Sequence, residues 1–346
     1  MINYKITDRI IASIESIRSI WWVIENASIV PEWEHKLKKI ARIRSWVFST
    51  RIEWSKITLQ EATDLLDGKD ILARPRDKQE LENYLKVLDY IEKQENEKQI
   101  THNDIFNIHK LTTKDILSPG LQNKYREQQN AIYNASGWIV FMPPEWKDIP
   151  KLMDDLLNFI NTKKEVSPLI RAGILHHYFV IIHPFVDGNW RTARALTQLF
   201  LYQNWFNTKK YFSLEEYYDN DLNNYYKAIN IWTNFYTSLE KWIDSTYFLE
   251  YFLKWIEIEL NNLKKQISQI KDDDVFSSNL KKLDLTNRQL HIALFTKENW
   301  KAQMKDYLAK FNIGRTTIKR ELQILIDKWV LESVGSWKLL YYKVKN

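Results

Sequence analysis

The chain has 346 residues, enough for two or three domains with a sizeable core, and its 45% hydrophobic and 27% charged residues are typical of a globular protein. It has no cysteine, which excludes disulfides and thiolate metal sites, and no apolar run near the roughly 18 residues of a membrane span. We therefore expect a cytoplasmic protein with no membrane partner. Its net charge of +6 permits contact with nucleic acid without requiring it, because clustering of charge decides such binding.

The N-terminal hundred residues are predicted to be helical. Apolar residues recur at helical spacing over 11–20 and again over 81–91. Between these runs, Thr58 followed by Glu61 is typical of the capping box that begins a helix. We expect residues 1–100 to form one helical region.

The middle of the chain predicts a helix, a hairpin and two further helices. The first helix is expected over 103–115. The irregular stretch 125–141 ends before Pro143–Pro144, which stop regular strand pairing, so an edge hairpin is predicted there. Residues 149–160 are amphipathic, and 169–182 are apolar enough to form the central buried helix.

Residues 183–194, between that buried helix and the next, carry the densest group of reactive side chains. Backbone N–H groups at the start of a helix face anions, so this segment predicts a phosphate site. Asp187 can hold a hard cation such as Mg²⁺, and Arg191 and Arg194 share a helix face that can grip phosphoryl oxygens. His183 is expected to titrate near neutrality and to abstract a proton from an attacking hydroxyl.

The C-terminal part follows a different pattern. Residues 271–274, Lys-Asp-Asp-Asp, are predicted to be a linker. Three short helices and a hairpin over 285–344 are typical of a winged helix-turn-helix. The predicted domains are the helical region at 1–100, a core with a helical extension at 101–270, and the winged module at 280–346.

Basic residues cluster on this predicted winged module. Arg315, Lys319 and Arg320 stand at the start of the presumed recognition helix, with Lys338 and Lys343 on the wing. That spacing would place the first three against DNA phosphates or guanine edges. Winged helices also dock proteins or dimerise, so both kinds of partner, including a homodimer, stay open.

The loop 183–194 resembles the Fic family, whose pattern is H-x-F-x-[DE]-G-N-G-R-x-x-R. The matching residues are His183, Phe185, Asp187, Gly188, Asn189, Arg191 and Arg194. The one departure is Trp190, where the family carries glycine. The resemblance extends over roughly residues 40–260, and it implies an all-α Fic core with a small β-hairpin flap, followed by the winged helix.

The resemblance also implies an activity. Fic enzymes of this type transfer AMP from ATP to a Ser, Thr or Tyr hydroxyl of a target protein. By that resemblance His183 is the base and Asp187 holds Mg²⁺ on the α- and β-phosphates. The Gly188 and Asn189 N–H groups would cradle the α-phosphate, with the Asn189 side chain as a further donor. The nucleotide-binding residues of the loop would be Gly188, Asn189, Trp190, Arg191 and Arg194.

An inhibitory element is implied as well. Many Fic proteins carry [ST]-x-x-x-E-[GN], whose glutamate pairs with the second arginine of the loop. Ser49 and Glu53 match, while Trp54 stands where glycine or asparagine is expected. A carboxylate paired with Arg194 would occupy the site that the γ-phosphate needs.

Two further regions resemble parts of the family site. The stretch Ile139, Val140, Phe141 and Met142 resembles the flap that holds an extended target segment by strand addition. Tyr225 and Tyr226, after Asn224, resemble the pocket for the nucleotide base. Both tyrosines could equally be core residues. His176 and His177 are expected only to pack or to form hydrogen bonds.

Other functions stay open beside adenylyl transfer. One is a Fic-derived regulator that acts on DNA while its nucleotide site senses ATP. The other is a Fic enzyme that uses a different phosphate donor, or that removes AMP with Glu53 positioning a water. The target protein cannot be named, because a flap binds mainly through the backbone.

Tryptophan is abundant where glycine is expected. The chain has 15 tryptophans and 7 glycines, whereas glycine usually supplies about 7% of residues. Trp190 and Trp54 replace glycines of family motifs, Trp337 lies at the tip of the wing, and Trp329 lies where a helix favours a glycine cap. We expect these codons to be UGA, read as glycine by the source cell. If Trp190 is real, its indole would obstruct the diphosphate path.

Overall fold

The computed structural model describes residues 2–51, 55–133, 138–213, 215, 221–229, 235–236, 243–336 and 339–345. The chain divides into two compact units, residues 1–266 and 267–346. Glu53 and Trp54 lie outside the described residues, as do Trp337 and Lys338. The predictions made for these four residues therefore stay predictions.

The first unit is built almost entirely of helices. They are α1 (Asp8–Glu25), α2 (Pro31–Arg51), α3 (Leu59–Leu66), α4 (Pro75–Gln94), α5 (His102–Thr113), α6 (Ile149–Thr162), α7 (Pro168–Ile182), α8 (Asn189–Gln203), α9 (Leu222–Ile229) and the part of α10 (Thr246–Lys281) that precedes residue 267. Short 3₁₀ turns occur at Pro119–Leu121, Trp146–Asp148 and Thr208–Lys210. The mainly helical fold expected from the sequence is confirmed.

Local signals set where several of these helices begin. Thr58 caps α3 and exchanges hydrogen bonds with Glu61, the capping box that the sequence predicted. Thr101 and Asp104 form the same arrangement at the start of α5. The first turns of α6 and α7 contain proline, which needs no hydrogen-bond acceptor there.

Helices α7 and α8 form the centre of the first unit. They make the most extensive contact of any pair of described elements, and every residue of α7 after Pro168 is buried. A side chain at Gly173 would begin 2.6 Å from Leu249 Cδ2 of α10, so glycine lets α10 approach closely. The turn between α7 and α8 is held inside the fold by α4 and α5, which also pack on α8.

A small hairpin lies between α5 and α6. Strands β1 (Ile132–Tyr133) and β2 (Ile139–Phe141) pair antiparallel, with Ile132 opposite Phe141 and Tyr133 opposite Ile139. The register shifts between the two pairs. The hairpin agrees with the flap position predicted from Pro143–Pro144.

The second unit has its own core. It contains α11 (Asn287–Glu298), α12 (Met304–Lys310), α13 (Arg315–Asp327) and the antiparallel strands β3 (Leu331–Val334) and β4 (Tyr341–Val344). Ile292, Tyr307, Ile318 and Leu325 are among the fully buried residues of its core. These elements agree with the three helices and hairpin expected from the sequence, while the assignment to a winged helix-turn-helix stays a prediction.

The predicted linker at 271–274 is wrong. These residues lie inside α10, which runs without a break from Thr246 to Lys281. The run is polar, but charged residues are compatible with the interior of a helix. Within the described residues, no helix combines the length and apolarity of a membrane span.

Candidate active site

The turn from α7 to α8 presents His183 at the end of a buried helix. His183 has a left-handed backbone, with φ 49°, and its N–H donates to Phe179 O at 3.0 Å. This conformation ends α7 and redirects the chain into the loop. A positive φ is uncommon for a residue other than glycine and is concentrated at functional sites.

Burial makes His183 a neutral imidazole. Desolvation is the main cause that lowers its pKa to about 4, and the charge of Arg126 lowers it further. The prediction that His183 titrates near neutrality is therefore wrong, because the folded protein removes the ring from water. Nδ1 lies 3.3 Å from Val180 O, which can only accept a hydrogen bond. Nδ1 therefore carries the proton, and Nε2 keeps its lone pair for a base's role.

The loop after His183 is braced by its own amide. Asn189 Oδ1 accepts from Phe185 N–H, and Asn189 Nδ2 donates to Phe185 O, both at 2.9 Å. Phe185 is fully buried and stacks on His109, with ring centroids 3.6 Å apart. The Asn189 amide, predicted to add a donor to the phosphate, is thus engaged in closing the loop.

His109 on α5 holds the other side of this loop. Its Nε2 lies 3.1 Å from Asp187 O, so this nitrogen carries the proton that is donated. Burial is the main cause that lowers the His109 pKa to about 4, so the ring is neutral at physiological pH. Sequence reasoning missed His109, because only the packing of α5 against α8 brings it to the loop.

Position 188 favours glycine both for its left-handed backbone and for the lack of room for a side chain. Its φ is 77°, and a Cβ placed there would lie 2.8 Å from Thr113 Cγ2. Gly188 is the N-cap residue of α8, so the N–H groups that follow it lack acceptors inside the helix. The helix start therefore has the features of an anion site.

The two arginines of the loop are buried. Arg191 Nη1 lies 3.3 Å from Glu80 Oε1, and Arg191 Nη2 lies 3.8 Å from Asp187 Oδ1. Arg194 Nη2 donates to Ser49 O at 2.9 Å. The structure thus brings Arg194 against the C-terminal turn of α2, at a residue four positions before Glu53 in the sequence.

Asp187 is the candidate metal ligand. Its carboxylate is half-buried, with Arg76 Nη2 at 3.5 Å and Arg191 at 3.8 Å. Among the described residues, no group of three His, Asp or Glu side chains could hold a metal ion. Mg²⁺ is usually bound by one or two carboxylates together with substrate phosphates. A lone Asp187 beside buried arginines fits an ion that arrives with a polyphosphate.

Arg126 joins the loop to the hairpin. Its Nε donates to His183 O at 3.0 Å, its Nη2 to Pro144 O at 2.5 Å and its Nη1 to Gln128 O at 2.8 Å. This guanidinium is buried, and sequence reasoning missed it because no motif marks it. On the hairpin itself, Ile139 is exposed and Phe141 is buried.

The remaining flap residues are Val140 and Met142. Val140 lies in β2, but its side chain is outside the described part of the structure. Met142 follows the strand directly and is half-buried. Met142 O accepts from Phe235 N–H at 2.9 Å, which ties the end of the hairpin to the main fold.

The predicted base pocket is occupied by an indole. The ring centroid of Trp190 lies 5.6 Å from that of Tyr225 and 5.4 Å from that of Tyr226, both edge-on. Tyr225 is fully buried, and its hydroxyl contacts His176 Nε2 at 2.7 Å, while Tyr226 is partly exposed. The structure therefore brings all three predicted nucleotide-site aromatics together. His176 and its neighbour His177 are buried and hydrogen-bonded, as predicted.

The candidate DNA-binding residues lie in the second unit. Arg315, Lys319 and Arg320 are exposed on α13, and Arg320 Nη2 lies 3.1 Å from Glu321 Oε1. Lys343 on the hairpin pairs with Glu332 at 2.8 Å.

A family comparison decides what this loop belongs to. The sequence profile of the Fic/DOC family matches residues 99–201, which run from the start of α5 to the end of α8. This range contains the hairpin, His183, Gly188 and both arginines. The chain carries a Fic domain.

Curated relatives of this Fic domain are called adenylyltransferases. A probable protein adenylyltransferase of Aquifex aeolicus is 32% identical over 80 residues, 23% of this chain and 24% of that protein. The protein adenylyltransferase Fic of Drosophila willistoni is 27% identical over 203 residues, 56% of this chain and 38% of that protein. The chain therefore spans well under half the length of either relative.

Solved structures share the fold. A Fic family protein from Desulfovibrio desulfuricans aligns over 100% of this chain and 98% of its own, with a TM-score of 0.64 and 21% identity. Fic-1 (residues 134–508) of C. elegans aligns over 76% of this chain and 74% of its own, with a TM-score of 0.57 and 17% identity. At these identities the likeness shows the fold alone.

Proposed function

We propose that this protein is a protein adenylyltransferase that moves AMP from ATP to a Ser, Thr or Tyr hydroxyl of a target protein. The observation that carries the proposal is the neutral His183 imidazole, buried at the turn that opens α8 beside Asp187 and Arg191. The names of the relatives point to the same reaction.

His183 serves as the base in this proposal. Nε2 takes the hydroxyl proton while the hydroxyl oxygen attacks the α-phosphorus. The bond from that phosphorus to the bridging oxygen breaks, and pyrophosphate leaves with the electron pair. Positioned general bases contribute about 10²–10⁴-fold to such steps. The negative charge of a bound triphosphate would raise the His183 pKa from about 4, which makes the ring a stronger base during the reaction.

The phosphates would bind at the start of α8. The N–H groups of its first turn would face the anion, and Arg191 and Arg194 are buried, where charge-assisted bonds to phosphate are strongest. Asp187 would hold Mg²⁺, which neutralises phosphate charge and orients the leaving group when bound. Tyr225 and Tyr226 would contact the base.

The hairpin would hold the target. An extended segment that adds to the edge of β2 would place its hydroxyl near His183, because Arg126 links Pro144 O to His183 O. Backbone pairing of this kind is tolerant of sequence, so the choice of target would come from other surfaces.

Glu53 would restrain the enzyme. Support comes from the contact of Arg194 with Ser49 O, since Glu53 follows Ser49 by four residues. A carboxylate on Arg194 competes with the γ-phosphate, so ATP would bind with its α-phosphate poorly aligned for attack.

The test uses two forms of labelled ATP. Adenylyl transfer retains the label of the α-phosphorus on protein and loses that of the γ-phosphorus into pyrophosphate. Retention of the γ-label would instead indicate phosphoryl transfer, and retention from UTP or CDP-choline would indicate another donor. Release of AMP from a previously modified protein would indicate the reverse activity.

A second candidate function is DNA binding by the second unit. Arg315 and Lys319 are exposed one turn apart on α13, and cations so placed can contact phosphates. In a gel shift, Arg315→Ala with Lys319→Ala should weaken binding, while Lys305→Ala on α12 should not. If the double variant binds DNA as tightly as the parent, DNA contact through α13 is excluded.

A further inference from the structure

Among the residues that the structure describes, three tryptophans have a left-handed backbone. Trp205, Trp300 and Trp329 have φ values of 69°, 60° and 62°. Among the described residues, three of the ten non-glycine residues with positive φ are tryptophan, although only 15 of 346 residues in the chain are tryptophan. A bulky side chain is a genuine outlier in this region, whereas glycine adopts it freely.

Each of these tryptophans follows the cap of a helix. After α8, Trp205 N–H donates to Tyr202 O and Phe206 N–H donates to Leu201 O. These are the two bonds of the Schellman motif, in which the residue after the cap is usually glycine.

The same two bonds end α13 and α3. Trp329 N–H donates to Ile326 O, and the next N–H donates to Leu325 O. At the end of α3, Gly68 has φ 80° and makes the equivalent bond to Leu65 O. Among the helix ends that the structure describes, this pair of bonds therefore occurs once with glycine and twice with tryptophan. Trp300 after α11 makes one of the two bonds, to Lys297 O.

The indoles at these positions are mostly exposed, although Lys345 Nζ lies over the Trp329 ring at 3.3 Å. Trp205, Trp300 and Trp329 are 86%, 85% and 73% exposed. By contrast, Trp46 and Trp255 are fully buried in helices. A protein gains from a large apolar side chain by burying it, so the two groups differ in what the indole does for the fold.

Trp190 is anomalous for a different reason. Its backbone is helical, but its ring lies against Tyr225 and Tyr226 in the space next to the start of α8. A residue without a side chain would leave this space open beside Gly188 and Asn189.

We infer that positions 190, 205, 300 and 329 are glycine in the protein as its source cell makes it, because UGA codons there are read as glycine. Trp46 and Trp255 are ordinary tryptophans. One decoding difference explains the left-handed backbones, the exposed indoles and the excess of tryptophan over glycine. The inference rests on backbone geometry and does not depend on the activity.

Glycine at position 190 would also change the candidate active site, a consequence that rests on the proposed function. With glycine at 190, the space between Tyr225, Tyr226 and the start of α8 is open to a nucleotide. The natural enzyme would then bind ATP where the tryptophan form is obstructed.

The deciding experiment is peptide mass spectrometry of the protein purified from its source cells. Peptides that span 190, 205, 300 and 329 should carry glycine, and peptides that span 46 and 255 should carry tryptophan. Tryptophan at 190, 205, 300 or 329 in the native peptides would overturn the inference. The result does not require any activity, so it is separate from the test of adenylyl transfer.

Variants of the recombinant protein give a second, independent measurement. Trp205→Gly should raise the midpoint of thermal unfolding, whereas Trp205→Ala should raise it less, because alanine keeps the strained Cβ. Equal midpoints for both variants and the parent would contradict the argument from φ. Trp190→Gly should bind ATP more tightly than the parent. If native peptides carry glycine but Trp190→Gly binds no ATP, the proposed function fails while the inference stands.

Discussion

Arg126 Nε donates to the main-chain oxygen of His183 at 3.0 Å, and the same guanidinium holds Pro144 at the base of the hairpin. The side chain is therefore a positioning residue: it links the left-handed turn that presents the imidazole to the strand that would hold a target. Its role depends on three donors in one plane, which lysine cannot supply.

Replacing Arg126 by lysine should therefore reduce both rate and stability. We expect transfer to a protein target to fall about tenfold, because small misplacements of reacting groups are costly. Losing donors to buried carbonyls should cost about 1–3 kcal/mol of the free energy of unfolding. Initial rates and urea unfolding measure the two effects. Arg9→Lys, at an exposed ion pair, is the control, and equal losses in both variants would contradict the positioning role.

His183→Asn should abolish most transfer without unfolding the protein. Asparagine tolerates the left-handed backbone that His183 adopts, so it is a cleaner change than alanine. The rate should fall by about 10²–10⁴ while ATP affinity is retained, because the imidazole acts on the hydroxyl proton. Intact-mass analysis after incubation with ATP provides the readout. His291→Asn, an exposed histidine of α11, should leave the rate unchanged.

Gly188→Ala should destabilise the loop more than Gly68→Ala does. Both glycines have a left-handed backbone, with φ 77° and 80°, but only at position 188 would the new Cβ meet an atom, Thr113 Cγ2 at 2.8 Å. Each variant carries the strain of the left-handed region, about 1–2 kcal/mol. The additional loss in Gly188→Ala measures the clash. Thermal unfolding of both variants compares them, and equal losses would show that the loop can relax.

The protein should lose stability as the pH falls from 6.5 towards 4. Burial lowers the pKa values of His109, His177 and His183 from 6.5 to about 4, so the unfolded chain binds these protons more readily than the folded protein. Their contribution to the free energy of unfolding is complete above pH 6.5. Between pH 6.5 and 4 it decreases by about 1.4 kcal/mol per pH unit for each histidine. Urea unfolding across the window measures the slope. In His109→Gln, the new amide can still donate to Asp187 O. The slope of the free energy of unfolding against pH should then be smaller by the contribution of one histidine. An unchanged slope would exclude His109 as a contributor.

Glu53→Gly should increase transfer if Glu53 restrains the site. The expected gain reflects release of Arg194 for the γ-phosphate, so it should appear as a higher rate at saturating ATP. Glu61→Gln is the control, because it also removes one carboxylate but does so at the start of α3 and not at the Glu53 position. A rate that does not change in Glu53→Gly would remove the inhibitory role and leave the transfer reaction untouched.

Local sequence patterns predicted the central helix, the turn that carries the site residues and the hairpin. The apolar content of residues 169–182 identified α7 as the buried central helix, and every one of these residues is buried. Short spacing placed His183, Asp187 and Gly188 in one turn, with Arg191 in the first turn of the helix that follows. The Pro143–Pro144 pair likewise located the hairpin, and Thr58 with Glu61 located the start of α3.

Packing of distant segments decided the rest. His109 on α5, Arg126 after it and Glu80 on α4 reach the loop only because helices far apart in sequence meet there, and no local pattern encodes such meetings. The pKa of His183 also depends on tertiary structure, because desolvation by the surrounding fold overrides the ordinary chemistry of an imidazole. Residues 271–274 are helical and not a linker, because the polarity of a segment does not by itself decide whether its backbone stays helical.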